Sequence, residues 1–330
     1  MKLIAEVGVN HNGSFSIAKK YIDTCKKIGV DFVKFQVAVP DYVVLKNAHK
    51  AKYQIKTTNN KESQFDMLKN IHLTIDEYSK LYLYSKKKKI ELIFSAFDHL
   101  SYKFLRDLNP KYIKIASGEV DNFLDLKIFE NFKNKIIIST GMCAMKEITE
   151  LINFLNSINI KNNQIILMHC NSDYPTKYDD VNLNVLDHFK KKFNFKLGYS
   201  DHTKDDLVAI ACAVKGINYL EKHITFDCSQ TGPDHKASMQ IKDFKLMIDK
   251  INSIKKCLGS DKKKITKSEF KNIIHVRKSL RVNKKIKKGQ LIKLGDLISM
   301  RPADGISPKF YKKIINKVSN KNYLKFEKIS

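Results

Sequence analysis

The sequence is short of arginine. Only Arg106, Arg277, Arg281 and Arg301 occur, although lysine and arginine together number 61 against 34 acidic residues. The formal charge of +27 is therefore almost wholly lysine. Base-edge readers lean on arginine forks, whereas lysine is a solvated point charge. The lysines also run through every segment, so the charge reads as a compositional bias. It would attract anionic substrates, and no nucleic-acid partner is expected.

Other absences narrow the class further. The N-terminus lacks a charged region followed by an apolar core, and no run approaches the ~18 apolar residues of a membrane span. Six cysteines (25, 143, 170, 212, 228 and 257) form no C-x-x-C and no paired spacing, so reduced thiols in a cytoplasmic protein are expected. His169 and Cys170 are adjacent, so in a strand they point to opposite faces and make a poor base–nucleophile pair. No G-x-G-x-x-G follows the first apolar run, which leaves a dinucleotide fold without its fingerprint.

What is present is alternation. Short apolar runs lie at Leu3–Val9, Asp31–Val37, Ile90–Ala96, Tyr112–Ala116, Lys135–Ser139, Gln164–Cys170, Lys196–Ser200 and Asn218–Ile224. Helical patterns such as Ser16–Ile28, Thr74–Lys87, Lys146–Ser157 and Leu183–Lys192 separate them. Eight strands with helices between them in about 255 residues predict an α/β fold, a (β/α)8 TIM barrel over 1–259. An open doubly wound sheet is the alternative. A lysine-rich linker at 260–275 leads to a mostly β module over 276–330, small for a stable independent core.

Barrel chemistry sits where strands end. The expected exits carry Glu6, then Lys34 and Gln36, Ser95, Lys114 with Ser117-Gly118-Glu119, Ser139, His169 ahead of Tyr174, Ser200 with His202, and His223. Serine hydroxyls, accessible backbone N–H groups and two lysines inside apolar strands suit a phosphate or carboxylate. Two imidazoles at neighbouring strand exits suit a divalent ion such as Mn2+, which polarises a carbonyl. They could equally be ordinary satisfied histidines. Glu6, Glu119 and Asp234 are available for acid–base work. The 38–72 connection is long enough to be a lid or substrate-binding segment.

Together the segments IAEVGVNHNGS, DFVKFQ, YIKIASGE, IIISTGM, LMHCNSDYPT, GYSDHT, EKHITFD and GPDHKAS resemble the sialic acid synthase family. VRKSL, IKKGQ and RPADGISP resemble that family's small antifreeze-like (SAF) domain. The resemblance implies phosphoenolpyruvate and an N-acetylated amino sugar as substrates. It implies Mn2+ (or Mg2+ or Co2+) on His202 and His223, and phosphoenolpyruvate on Lys34, Ser95, Lys114, Ser117, Ser139 and Ser200. Glu6, Glu119 and Asp234 would be catalytic, with Gln36, Tyr174, Asp234 and Arg301 on the sugar. Arg301 would reach the sugar of the partner subunit in a domain-swapped homodimer. One departure is Phe94-Ser95-Ala96-Phe97, where the family usually has Ser-Thr-Pro-Phe. N-acetylneuraminate synthesis from N-acetylmannosamine is the activity expected, with legionaminate synthesis from a 2,4-diacetamido-2,4,6-trideoxymannose as the alternative.

Overall fold

Each short run is apolar on both faces, as parallel strands covered on both sides must be. The computed structural model describes residues 1–50, 54–55, 58 and 62–329. Among these, eight parallel strands follow in chain order: β1 (Lys2–Gly8), β2 (Phe32–Val37), β3 (Glu91–Ala96), β4 (Tyr112–Ile115), β5 (Lys135–Ser139), β6 (Ile165–Cys170), β7 (Lys196–Asp201) and β8 (Tyr219–Thr225). Each pairs with the next, and β1 pairs with β8 through Glu6↔His223, which closes the barrel. The open-sheet alternative is excluded by that pairing. A two-residue strand, β9 (Met239–Gln240), adds outside β8.

Period-two alternation divides every strand between two environments. Ile4, Phe32, Ile93, Tyr112, Ile137, Ile166, Met168 and Tyr219 form one buried cluster inside the barrel. Their neighbours, among them Leu3, Val33, Phe94, Ile113, Leu167 and Leu220, join the larger cluster beneath the helices. Gly198 leaves room for the interior packing, since a Cβ there would lie 2.9 Å from the Met168 side chain. The interior row continues upward from the apolar layer to Glu6, Lys34, Ser95, Lys114, Ser139, Ser200 and Glu221. The apolar plug at one end thus leaves a polar chamber at the other.

The helices follow their local signals. Phe15–Ile28 starts at Ser14, whose hydroxyl accepts from Ile17 N, and stops at Gly29 in the left-handed region. Ile75–Lys88 carries a capping box between Thr74 and Glu77. Among the described residues, the 38–72 connection, read as lacking clean periodicity, includes the helices Pro40–Val43 and Gln64–Ile71. Residues 51–53, 56–57 and 59–61 of that connection lie outside the described residues.

The chain divides into two units, Met1–Gly259 and Ser260–Ser330. In the second, β10 (Ser279–Val282) and β11 (Leu297–Met300) pair antiparallel over a small core of Val282, Ile286, Ile292, Tyr323 and Ile329. The expected linker, 260–275, falls within this unit, where Ala303 N donates to Ile274 O; Arg301 Nε donates to Val276 O at 2.8 Å. No helix among the described residues is long and apolar enough to cross a membrane.

Candidate active site

The upper ends of the barrel strands bring like charges together inside a low-dielectric interior, which requires counter-charges close by. Lys34 Nζ lies 2.7 Å from Glu6 Oε1 and 3.7 Å from Glu221 Oε1. Lys114 Nζ lies 2.6 Å from the same Glu221 oxygen, which also accepts from Ser200 Oγ at 2.9 Å. All four charged groups are buried. Burial alone would raise the Glu221 carboxyl, but Lys114 and Lys34 hold it well below the usual carboxylate range. Burial likewise works against the Lys34 cation, and Glu221 and Glu6 outweigh it, so its pKa is raised. The Glu6 carboxyl is raised by burial despite Lys34.

Unused hydrogen-bonding capacity marks this chamber as a place for a ligand. Among the described residues, Ser139 Oγ, Glu6 Oε2 and Glu221 Oε2 are buried without a hydrogen-bond partner. Buried polar atoms are nearly always paired, so three orphans around two lysines are informative. Ser117 Oγ accepts from Gly141 N at 2.9 Å, which ties the β4 and β5 exits together.

The two histidines face the same chamber, with ring centroids 5.5 Å apart. His202 Nδ1 donates to Asn171 O at 2.5 Å, which leaves Nε2 as the lone-pair nitrogen, 3.3 Å from Ser200 Oγ. His223 Nδ1 is buried without a hydrogen-bond partner and lies 3.8 Å from Asp234 Oδ2. Tyr174 packs on His202 at 4.2 Å and meets His223 edge-on at 5.7 Å. Burial keeps both rings neutral: His202 is lowered to about 4, and His223 falls well below its ordinary value. Two neutral imidazoles, one with an orphaned nitrogen, fit a divalent cation with open positions. Among the described residues no cluster of three His, Cys, Asp or Glu able to hold a metal occurs.

Three carboxylate- and amide-bearing side chains converge over Gly8, where φ is +56°. A Cβ at that position would lie 3.2 Å from Gln36 Nε2, 3.2 Å from Glu6 Oε1 and 3.3 Å from Asp234 Oδ2. Gln36 Nε2 donates to Glu6 at 3.0 Å. Burial first, then Glu6, raises the Asp234 carboxyl to about 7. Its environment thus places it where a group gives and takes protons near neutrality.

These groups line one cavity of about 530 Å3. Glu6, Lys34, Gln36, Ser95, Lys114, Ser117, Ser139, Tyr174, Ser200, His202, His223 and Asp234 all reach it. Glu119 does not; its carboxylate accepts from Tyr102 Oη and Asn122 Nδ2, and so braces the loop after β4. Arg301 belongs to the second unit. Glu221 had no role assigned from the sequence, although its place two before His223 puts both on the same strand face. Met67, Leu68 and Ile71 were also missed; they bring an apolar wall from Gln64–Ile71, packed with Val9.

The model of the NeuB family matches residues 21–263. The chain belongs to the NeuB family. It is 41% identical over 327 residues to the N,N'-diacetyllegionaminic acid synthase of Campylobacter jejuni, covering 99% of this chain and 98% of that one. The enzyme of the same name from Legionella pneumophila is 36% identical, over 93% of this chain and 86% of its own. The N-acetylneuraminate-9-phosphate synthase of Homo sapiens is 28% identical, over 81% and 74%. Among solved structures, the N-acetylneuraminic acid synthetase of Leptospira borgpetersenii superposes with a TM-score of 0.68 at 26% identity, covering 82% of this chain and 89% of that one.

Proposed function

We propose that the protein joins phosphoenolpyruvate to the open-chain form of 2,4-diacetamido-2,4,6-trideoxymannose, giving N,N'-diacetyllegionaminic acid and phosphate. The observation that carries this reading is the 41% identity, end to end, to an enzyme named for that product. The relative named for an N-acetylneuraminate product is more distant, at 28%. N-acetylmannosamine, the acceptor expected from the sequence, therefore gives way to the diacetamido sugar.

Lys34 and Lys114 meet the anionic groups of phosphoenolpyruvate, and Ser95, Ser117, Ser139 and Ser200 supply hydroxyls around them. His202 and His223 would hold a divalent cation, Mn2+ by preference, which when bound polarises the acceptor's carbonyl oxygen. Carbon 3 of phosphoenolpyruvate forms the new C–C bond at the aldehyde carbon, and the aldehyde oxygen takes a proton. Asp234, poised near 7, is placed to supply it. Water then adds at carbon 2 and gives up a proton to Glu6, whose carboxyl burial raises, and the C–O bond to phosphate breaks. Gln36 and Tyr174 orient the sugar. The second unit acts as an antifreeze-like domain that carries Arg301 to the sugar's N-acetyl group across a domain-swapped homodimer.

Steady-state turnover with the two sugars side by side, at saturating phosphoenolpyruvate and Mn2+, tests this. A higher kcat/KM for the diacetamido sugar is expected. Preference for N-acetylmannosamine would return the assignment to N-acetylneuraminate synthesis, and failure to release phosphate with either would sink the reading.

A further inference from the structure

His202 and His223 stand on neighbouring strand ends, and their neighbours in sequence point the opposite way, out of the barrel. Two of those neighbours are charged. Asp201 and Lys222 are register partners on β7 and β8, each almost completely buried in the apolar layer between strands and helices. Lys222 Nζ donates to Asp201 Oδ2 at 2.9 Å and to the Thr203 carbonyl at 2.6 Å. Asp201 Oδ1 accepts from Thr203 N at 2.9 Å and from Thr203 Oγ1 at 2.7 Å. The residues on both sides of His202 are thereby tied to the residue immediately before His223.

A buried ion pair in such a layer is a weak source of stability, since apolar side chains of the same volume commonly do as well. What this pair provides is registry. β7 ends at Asp201, so the backbone at His202 and Thr203 has left the ladder; there His202 O accepts from Thr176 N at 2.9 Å, and its ring donates to Asn171 O. Lys222 adds a hold from the opposite side, through the Thr203 carbonyl and Asp201. We propose that Lys222 is a positioning residue: by gripping Asp201 and Thr203 it sets the separation and aim of the His202 and His223 rings. This rests on the reading of those two rings as metal ligands. It gives Lys222 and Asp201 a role that contact with substrate or metal does not, because both face away from the cavity.

The test uses Mn2+ itself, titrated into the full-length protein and followed by the electron paramagnetic resonance signal of the free ion. Lys222→Met is expected to weaken Mn2+ binding about tenfold or more, the size seen when groups behind metal ligands are removed. Lys222→Arg, which keeps the charge and the donors, is expected to restore most of it. Because Lys222→Met leaves Asp201 buried without its counter-ion, the neutral pair Asp201→Asn with Lys222→Met serves if the single variant does not fold. A folded variant of either kind with wild-type Mn2+ affinity overturns the proposal, whatever its melting temperature. Wild-type protein that binds no Mn2+ removes the metal reading and this proposal with it, so the two failures are distinguishable.

Discussion

Lys114 Nζ and Glu221 Oε1 meet at 2.6 Å across the barrel interior, although β4 and β8 are not neighbours in the sheet. Glu221 also lies 3.7 Å from Lys34, so one carboxylate serves two buried cations. Glu221→Gln is expected to lower the melting temperature of the ligand-free protein, because breaking a buried pair costs about 3–5 kcal/mol. Inorganic phosphate should then raise the melting temperature of the variant more than that of the wild type, by binding the freed lysines. Equal phosphate shifts in the two proteins would show that Glu221 is not their counter-ion.

His223→Ala should abolish turnover and Mn2+ binding while leaving the circular dichroism spectrum unchanged. The ring's Nδ1 has no hydrogen-bond partner to lose among the described residues, so the structural cost of removing it is small. Activity near the wild-type level in a folded variant would remove His223 from the metal site.

His11 is fully buried against Phe35 and Tyr78, and neither ring nitrogen has a hydrogen-bond partner among the described residues. Burial lowers its pKa from 6.5 to about 3. The folded state therefore keeps the ring neutral where the unfolded chain takes up a proton, and stability falls as pH drops below 6.5 and towards 3. At pH 5 this amounts to about 2 kcal/mol at 1.36 kcal/mol per pH unit. His11→Leu should flatten the decline in melting temperature between pH 7 and 5. An unchanged slope would count against this histidine as an acid-labile point.

Gly13 has φ of +70°, and a Cβ there would lie 2.6 Å from the Asn70 carbonyl oxygen. Its amide also donates to Ile71 O at 3.0 Å. This contact seats Gln64–Ile71, and with it Met67, Leu68 and Ile71, on the cavity rim. Gly13→Ala combines a left-handed backbone penalty of about 1–2 kcal/mol with a clash against backbone that cannot rotate away. It should lower the melting temperature by several degrees, at about 2–4 °C per kcal/mol for a unit of this size. The KM of the acceptor should rise more than that of phosphoenolpyruvate; the opposite order would place the helix on the other substrate.

The sequence determined the barrel and most of its chamber. Apolar runs at regular intervals, helical patterns between them and polar residues at strand exits are local properties, so they survive without any knowledge of contacts. Lys34 and Lys114 stood out because a charge inside an apolar strand is costly unless something answers it. What answers it was not legible. Glu221 comes from β8, more than a hundred residues beyond Lys114, and only closure of the barrel brings the two within hydrogen-bond reach. Glu119 shows the converse, since a carboxylate at a strand exit proved to serve Tyr102 and Asn122 outside the cavity. The histidine pair had even standing in the sequence between satisfied and functional rings. What tertiary structure adds is that His223 Nδ1 is buried without a hydrogen-bond partner among the described residues, beside a neutral His202. It also disclosed the Asp201–Lys222 grip behind them. The physical reason is one of range: periodicity and propensity act over a few residues, while charge pairing, desolvation and the emptiness of a polar chamber depend on strands that meet only when the sheet closes on itself.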